Sequence, residues 1–334
     1  MTIGTAGDDG SDPKPVIKGH VYGAGKGVET HGYSALVRGN VTTTIQGKAQ
    51  VWQDVHGGGE KASTGRYYVA TTVEDTTTYH VRIGMPCYLK AGGKCTVNIQ
   101  DQATIGKDDI PNSGDVYGAG QGVTPSYNND EEDANRSKRM VFYNAETHSN
   151  NKEDIEWNYY VDEDGKENRT YVWEYFATET DYLLFVETLG RASETDVVIG
   201  GKRVDASTIN TSSDAPTVMG TVYGGSESGF VYYGTVVNIQ KGEIDGDAFG
   251  GGKGLLTYAE AGRVRRNTSL TVSNGEIHGN VYGGGSLAMW VILQSPLIII
   301  IHGHRPAASL PISLRTTKSL MLQMIRLTQA SARF

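Results

Sequence analysis

Val, Ile and Thr alternate with polar residues over four short stretches: Thr43-Thr44-Ile45-Gln46-Gly47, Thr96-Val97-Asn98-Ile99-Gln100, Val236-Val237-Asn238-Ile239-Gln240 and Ser269-Leu270-Thr271-Val272-Ser273. A period of two with β-branched residues predicts half-buried strands, and the bordering Gly, Asn and Asp predict turns. Two stretches are followed by a second, shorter one, Gly242-Glu243-Ile244-Asp245-Gly246 and Gly275-Glu276-Ile277-His278-Gly279. Strands of about five residues lie at the short side of the usual range and cannot bury an apolar face alone.

A third element travels with these strands, a box of small hydrophobe, aromatic or His, and glycine cluster. It reads His20-Val21-Tyr22-Gly23-Ala24-Gly25, Asp54-Val55-His56-Gly57-Gly58-Gly59 and Asp115-Val116-Tyr117-Gly118-Ala119-Gly120. It returns as Thr221-Val222-Tyr223-Gly224-Gly225, Asp247-Ala248-Phe249-Gly250-Gly251-Gly252 and Asn280-Val281-Tyr282-Gly283-Gly284-Gly285. The aromatic positions are separated by 34, 61, 106, 26 and 33 residues. Gaps of 26 to 34 residues suit one supersecondary unit per repeat; 61 has room for two units, and 106 requires an insertion or degenerate repeats.

A unit of strand, turn, strand, turn and box, stacked in parallel on its neighbours, buries a continuous column of Val and Ile. The expected fold is therefore all-β, a parallel β-helix or β-solenoid of irregular repeats with a β-hairpin-rich insertion. The box glycines fit either backbone corners at positive φ or a close approach of neighbouring coils. Box aromatics in register form a ladder, each offset or edge-to-face pair contributing about 0.5–1.5 kcal/mol beyond burial. An antiparallel β protein with aromatic–glycine hairpin turns is the competing architecture. The solenoid is preferred because the strand spacing recurs together with the box.

Composition agrees with this reading. Glycine makes up 44 of 334 residues, Tyr (19) outnumbers Phe (6), and long stretches of helical periodicity are nearly absent. A net charge of −8 without a basic stripe excludes nucleic acid as a partner. Character changes along the chain set expected boundaries: 1–18 a flexible lead-in, 19–123 solenoid, 124–215 an aromatic and acidic hairpin-rich insertion, 216–286 solenoid, and 287–334 a non-repeat tail. Within the insertion, residues 155–161 and 169–176 flank Asp164-Gly165 and predict a hairpin. The tail holds five of the 30 basic residues and none of the 38 acidic ones. Its apolar run 287–301 contains Gln294, Ser295 and Pro296 and is too short for a spanning helix, which needs about 20 residues. The abrupt break after the sixth box leads us to expect out-of-frame sequence from there. No secretory signal opens the chain as written, and Met1 fits an internal methionine of a longer protein.

No constellation specifies a reaction, and the sequence assigns no catalytic, cofactor-binding or metal-ligating residue. Gly23-Ala24-Gly25-Lys26-Gly27 and Gly250-Gly251-Gly252-Lys253-Gly254 lack the spacing, the Ser or Thr and the following helix of a phosphate loop. Structural calcium lacks the Asp that should follow the glycines, and Asp162-Glu163-Asp164-Gly165 is half a calcium loop, with Tyr160 at its first ligand position. Asp130-Glu131-Glu132-Asp133 reads as solvated loop. Asp245 with Asp247, or Asp108 with Asp109, would be the carboxylate pairs of a carbohydrate-active β-helix, yet nothing gives either pair distinct environments. Cys87 and Cys95 enclose a Gly92-Gly93 turn that suits either a hairpin disulfide or reduced thiols. Histidines 20, 31, 56, 80, 148, 278, 302 and 304 show no ligand spacing, and His56 takes an aromatic box position as a stacked substitute for Tyr.

With its boxes, strands and insertion, the chain resembles the large glycine-rich repeat proteins of Bacteroidetes surfaces over residues 19–286. The unit running from Val236-Val237-Asn238-Ile239-Gln240 through Gly250-Gly251-Gly252-Lys253-Gly254 carries the likeness, as do Asp181-Tyr182-Leu183-Leu184-Phe185 and Asp196-Val197-Val198-Ile199-Gly200-Gly201. The resemblance implies a secreted or cell-surface, adhesin-like module. Expected partners are a glycan or a host or bacterial surface protein, met by rows of Thr, Asn and Tyr, with no cofactor and no membrane span in this chain. A polysaccharide lyase or hydrolase on the same scaffold is the alternative.

Overall fold

The computed structural model describes residues 1–6, 14–73, 76–82, 88–144, 151–152, 169–258, 260–287, 291–292 and 298–299. Short alternating segments, each unable to bury its own apolar face, satisfy it by stacking as six coils. Coil 1 runs through Thr2–Ile3, Val16–Ile17 and Val21–Tyr22, and coil 2 through Val41–Ile45, Gln50–Val51 and Val55–His56. Coil 3 follows Lys94–Ile99, Thr104–Ile105 and Val116–Tyr117; coil 4 follows Glu194–Ile199, Thr217–Val218 and Val222–Tyr223. Coil 5 comprises Thr235–Ile239, Glu243–Ile244 and Ala248–Phe249, and coil 6 Thr268–Val272, Glu276–Ile277 and Val281–Tyr282. The first, second and third strands of each coil form three six-stranded parallel sheets in coil order. This is a parallel β-helix, as the pattern predicts.

Register explains the core. One column is Ile3, Ile45, Ile99, Ile199 and Ile239; another is Ile17, Val51, Ile105, Val218, Ile244 and Ile277. A third is Val21, Val55, Val116, Val222 and Ala248. These side chains, with Val97, Val197 and Val237, make one apolar cluster, fully buried through its middle coils. Burying each Ile or Val contributes about 1.5–3 kcal/mol. Beyond the boxes, Arg191–Ala192, Phe230–Val231 and Arg263–Val264 pair in a fourth, shorter parallel sheet.

The two readings of the box glycines separate here. Gly118 is absent from the left-handed region, and a Cβ on it would stand 2.1 Å from the Gly224 carbonyl oxygen of the next coil. The same relation links Gly23 to Gly57, Gly57 to Gly118, Gly224 to Gly250, and Gly250 to Gly283, at 2.2–2.4 Å. Close approach of coils, not a corner, requires these glycines. The left-handed corners lie after the first-sheet strands, for example at Gly47 and Gly242.

The uneven box spacing comes from excursions between coils that keep their register. The 61-residue interval is one coil with an antiparallel outgrowth, Arg66–Val73, Thr76–Arg82 and Tyr88–Ala91, rather than two units. The 106-residue interval contains Lys138–Asn144 paired with Arg169–Tyr175, then a helix, Glu179–Val186. The helix follows from local chemistry: Thr178 caps it by accepting from the Asp181 backbone N–H, and its own hydroxyl donates to the Asp181 carboxylate.

Several boundaries differ from the expected ones. Residues 1–18 are not all lead-in, because Thr2–Ile3 and Val16–Ile17 pair with coil 2 through Thr44–Ile45 and Gln50–Val51. The solenoid resumes inside the expected insertion at Glu194–Ile199, and a small hairpin, Gly201–Arg203 with Ile209–Thr211, leaves coil 4 there. Arg169–Tyr175 takes Lys138–Asn144 as its antiparallel partner; residues 155–161 and 162–168 lie outside the described residues, as does most of 287–334. Among the described residues no helix is long and apolar enough to cross a membrane.

Candidate functional site

The box aromatics Tyr22, His56, Tyr117, Tyr223, Phe249 and Tyr282 stack with centroids 4.6–5.1 Å apart and planes within 4–11° of parallel. That spacing is the separation of hydrogen-bonded strands, about 4.7–4.9 Å, so the sheet itself sets the stack. His56 and Tyr117 are fully buried, whereas Tyr282 on coil 6 is 38 % exposed. Of the expected offset or edge-to-face contacts, the parallel stacked kind is the one formed, and the box aromatics of coils 2 to 5 are buried rather than on display.

The residue preceding each box forms a second column, in which a side chain of one coil accepts from a backbone N–H of the next. Asp54 N–H donates to His20 Nδ1 (3.4 Å), Asp115 N–H to Asp54 Oδ1 (2.8 Å), and Thr221 N–H to Asp115 Oδ1 (2.8 Å). Asp247 N–H donates to Thr221 Oγ1 (3.3 Å) and Asn280 N–H to Asp247 Oδ1 (2.7 Å). These His, Asp and Thr side chains cap strand ends that short strands leave unpaired.

Positions i and i+2 of a strand share a face, so this column meets the tips of the aromatic ladder. Tyr117 OH donates to Asp115 Oδ2 (2.8 Å) and accepts from Lys253 Nζ (2.9 Å), which also reaches Asp115 Oδ2 at 3.2 Å. Tyr22 OH donates to Gln121 Oε1 (2.8 Å), and Gln121 Nε2 donates to Glu227 Oε2 (2.9 Å). Burial raises the Glu227 carboxyl above its usual range even though Lys253 lies 3.7 Å away. Burial likewise raises the Tyr117 phenol.

One step of this edge is chemically distinct. His20 and Asp54 hold equivalent positions in coils 1 and 2, and His56 is the box aromatic of coil 2. His20 Nδ1 lies 3.3 Å from Asp54 Oδ2, and one ligand atom from each of His20, Asp54 and His56 lies within 4.8 Å of the other two. The side chains are 40 %, 12 % and 0 % exposed, so the cluster runs from solvent into the ladder. Both ring nitrogens of His56 are buried without a hydrogen-bond partner; Nε2 has Glu227 Oε2 at 3.9 Å. Burial pushes the His56 imidazole down to about 3, so it is neutral at physiological pH. The Asp54 carboxylate, which can accept from the protonated His20 ring, raises the His20 imidazole above its usual range. Burial pushes Asp54 up, but His20 and the Asp115 N–H outweigh it and hold the carboxyl below its usual range. The histidines show no ligand spacing along the chain, yet the fold brings His20 and His56 together because one repeat period separates the coils, a distance no local spacing motif covers.

Other candidates disperse. Asp245 pairs with His278 (3.2 Å), while Asp247 caps Asn280, so the two carboxylates serve separate contacts. Glu243, Asp245 and Glu276 surround His278 on an exposed patch of the second sheet. Asp109 pairs with Lys107, and Asp108 is exposed. Asp130 and Asp133 hold their own loop through the backbone N–H groups of Glu132 and Asn135. Lys26 and Lys253, from the glycine–lysine runs, bridge to Glu60 and Glu227 of adjacent coils, with no helix following. Cys95 is buried in the first sheet beside Thr64 Oγ1 (3.4 Å), and burial pushes its thiol up to about 11. The strands flanking Gly92-Gly93 pair into different sheets, not with each other; Cys87 lies outside the described residues.

In comparison with protein-family models, curated proteins and solved structures, no match to this chain is found.

Proposed function

We propose that this chain is a non-catalytic, extended surface module, structural or adhesive, whose partner is a glycan or a surface protein. The observation that supports it is where the recurring side chains are engaged. In coils 1 to 5 the aromatic, the glycine and the polar residue beside them contact the next coil, so the repeated chemistry is devoted to stacking coils. The carboxylates that a β-helix hydrolase or lyase would need are engaged singly in caps and ion pairs. Contact with a partner then falls to exposed positions of the first sheet whose residue type changes from coil to coil, such as Thr42, Val236, Ser269 and Thr271. Many weak contacts of this kind add through multivalency. Secretion or surface location belongs to this proposal and rests on the resemblance of the repeat.

The test is a screen of the purified chain against plant and host polysaccharides, reading retention and release of reducing ends in parallel. Retention, or inert behaviour, without release is expected. Turnover that Asp245→Asn or Asp247→Asn abolishes would overturn the proposal in favour of a polysaccharide-active enzyme.

A further inference from the structure

We propose that His20, Asp54 and His56 form a binding site for one divalent transition-metal ion of the zinc class, held between coils 1 and 2. Two imidazoles and a carboxylate are a donor set that zinc and its neighbours take readily. Zinc–ligand bonds of about 2.0–2.2 Å around a tetrahedral centre place adjacent ligand atoms about 3.3–3.5 Å apart. The His20 Nδ1 to Asp54 Oδ2 separation is 3.3 Å, and a His56 ring nitrogen stands within 4.8 Å of both. Binding would draw the His56 nitrogen and the other two ligand atoms closer together than they stand here.

An independent observation points to a ligand. His56 is wholly buried, yet neither ring nitrogen has a hydrogen-bond partner. A buried polar group left unpaired costs about 1–3 kcal/mol. Tyr22 and Tyr117, on either side of it in the ladder, both have partnered hydroxyls. A metal bond to the lone pair of one His56 nitrogen satisfies one of the two unpartnered atoms. Glu227 Oε2, 3.9 Å from Nε2, is the nearest carboxylate that could orient a ligating histidine, although it makes no hydrogen bond to the ring here. The half-exposed His20 leaves the fourth position open to water.

Among the described box positions the arrangement occurs once. The corresponding pairs in later coils are Asp115 with Tyr117, Thr221 with Tyr223, Asp247 with Phe249 and Asn280 with Tyr282, none of which offers an imidazole. The second carboxylate–histidine cluster, Glu243, Asp245 and His278, is exposed throughout and lacks any buried unpartnered group, so it serves as the control.

The experiment titrates zinc into the full, untagged chain after chelator treatment, by calorimetry, and repeats the titration with cobalt to read its visible absorption. The expected result is one equivalent of micromolar or tighter affinity, with a tetrahedral cobalt spectrum. Asp54→Asn and His20→Ala should weaken binding by at least about ten-fold. His56→Tyr installs the residue that most other coils carry, so it preserves the ladder and should abolish the site. His278→Ala should leave the tight equivalent intact. Absence of zinc affinity better than millimolar overturns the proposal, as does a bound equivalent that survives both His56→Tyr and Asp54→Asn or disappears with His278→Ala.

Discussion

Gly118 and Gly283 hold the same place in their boxes but stand in different surroundings. A Cβ at Gly118 would overlap the backbone of coil 4, whereas one at Gly283 would meet nothing within 4 Å. Gly118→Ala should therefore destabilise by about 3 kcal/mol, at the upper end of overpacking costs, because backbone cannot rotate away as a side chain can. Gly283→Ala should stay within about 0.5 kcal/mol of the parent. Urea unfolding of both variants reads the difference; equal effects would mean that the glycines serve the local turn instead. At this scale the sequence was only half informative. It marked the glycines as special but left open whether φ or proximity made them so, since the clashing atom belongs to a residue one coil away. The same reason hid the His20, Asp54 and His56 cluster.

At the scale of single elements, position in the stack governs energetics more than residue type does. Ile199 and Val272 occupy one column of the first sheet, but Ile199 is fully buried between coils 3 and 5 and Val272 is 42 % exposed on coil 6. Ile199→Ala should cost about 2–5 kcal/mol and Val272→Ala below about 1 kcal/mol, measured as midpoint shifts in denaturant. Alternation revealed four first-sheet strands, in coils 2, 3, 5 and 6, and the second-sheet strands of coils 5 and 6, because β-branched residues at period two leave little freedom. It did not reveal Thr2–Ile3 and Val16–Ile17: two-residue strands carry no period and are strands only because coil 2 pairs with them. Arg169–Tyr175 was recognisable as a strand, but its partner was not. An Asp-Gly turn nominates the nearest segment, while the structure pairs it with Lys138–Asn144. The short helix Glu179–Val186 escaped notice although Thr178 and Asp181 form its capping pair, since two turns give too little apolar periodicity to stand out.

For the unit Met1–Ile301, nearest-neighbour stacking means that each coil is stabilised by the coils on either side and by little else. The parallel β-helix was legible because six boxes keep their strand spacing; the outgrowths were visible only as gaps, since residues outside the register obey no period. The register has a further consequence for how this sequence tolerates editing: it counts in coils, not in residues. Excising residues 235–267 would join Gly234 to Thr268, set Gly224 against Gly283 and Tyr223 against Tyr282, and restore the same contacts with one step fewer. Deleting the single residue Val237 would turn Ile239 from the core to the outer face, as any one-residue slip in a strand does. The larger excision should therefore give a folded, cooperatively melting protein, and the smaller one should not, as circular dichroism and urea melts of the two would show. Insertions and losses of whole coils are the natural unit of change for such a chain, and its length is the property most easily varied.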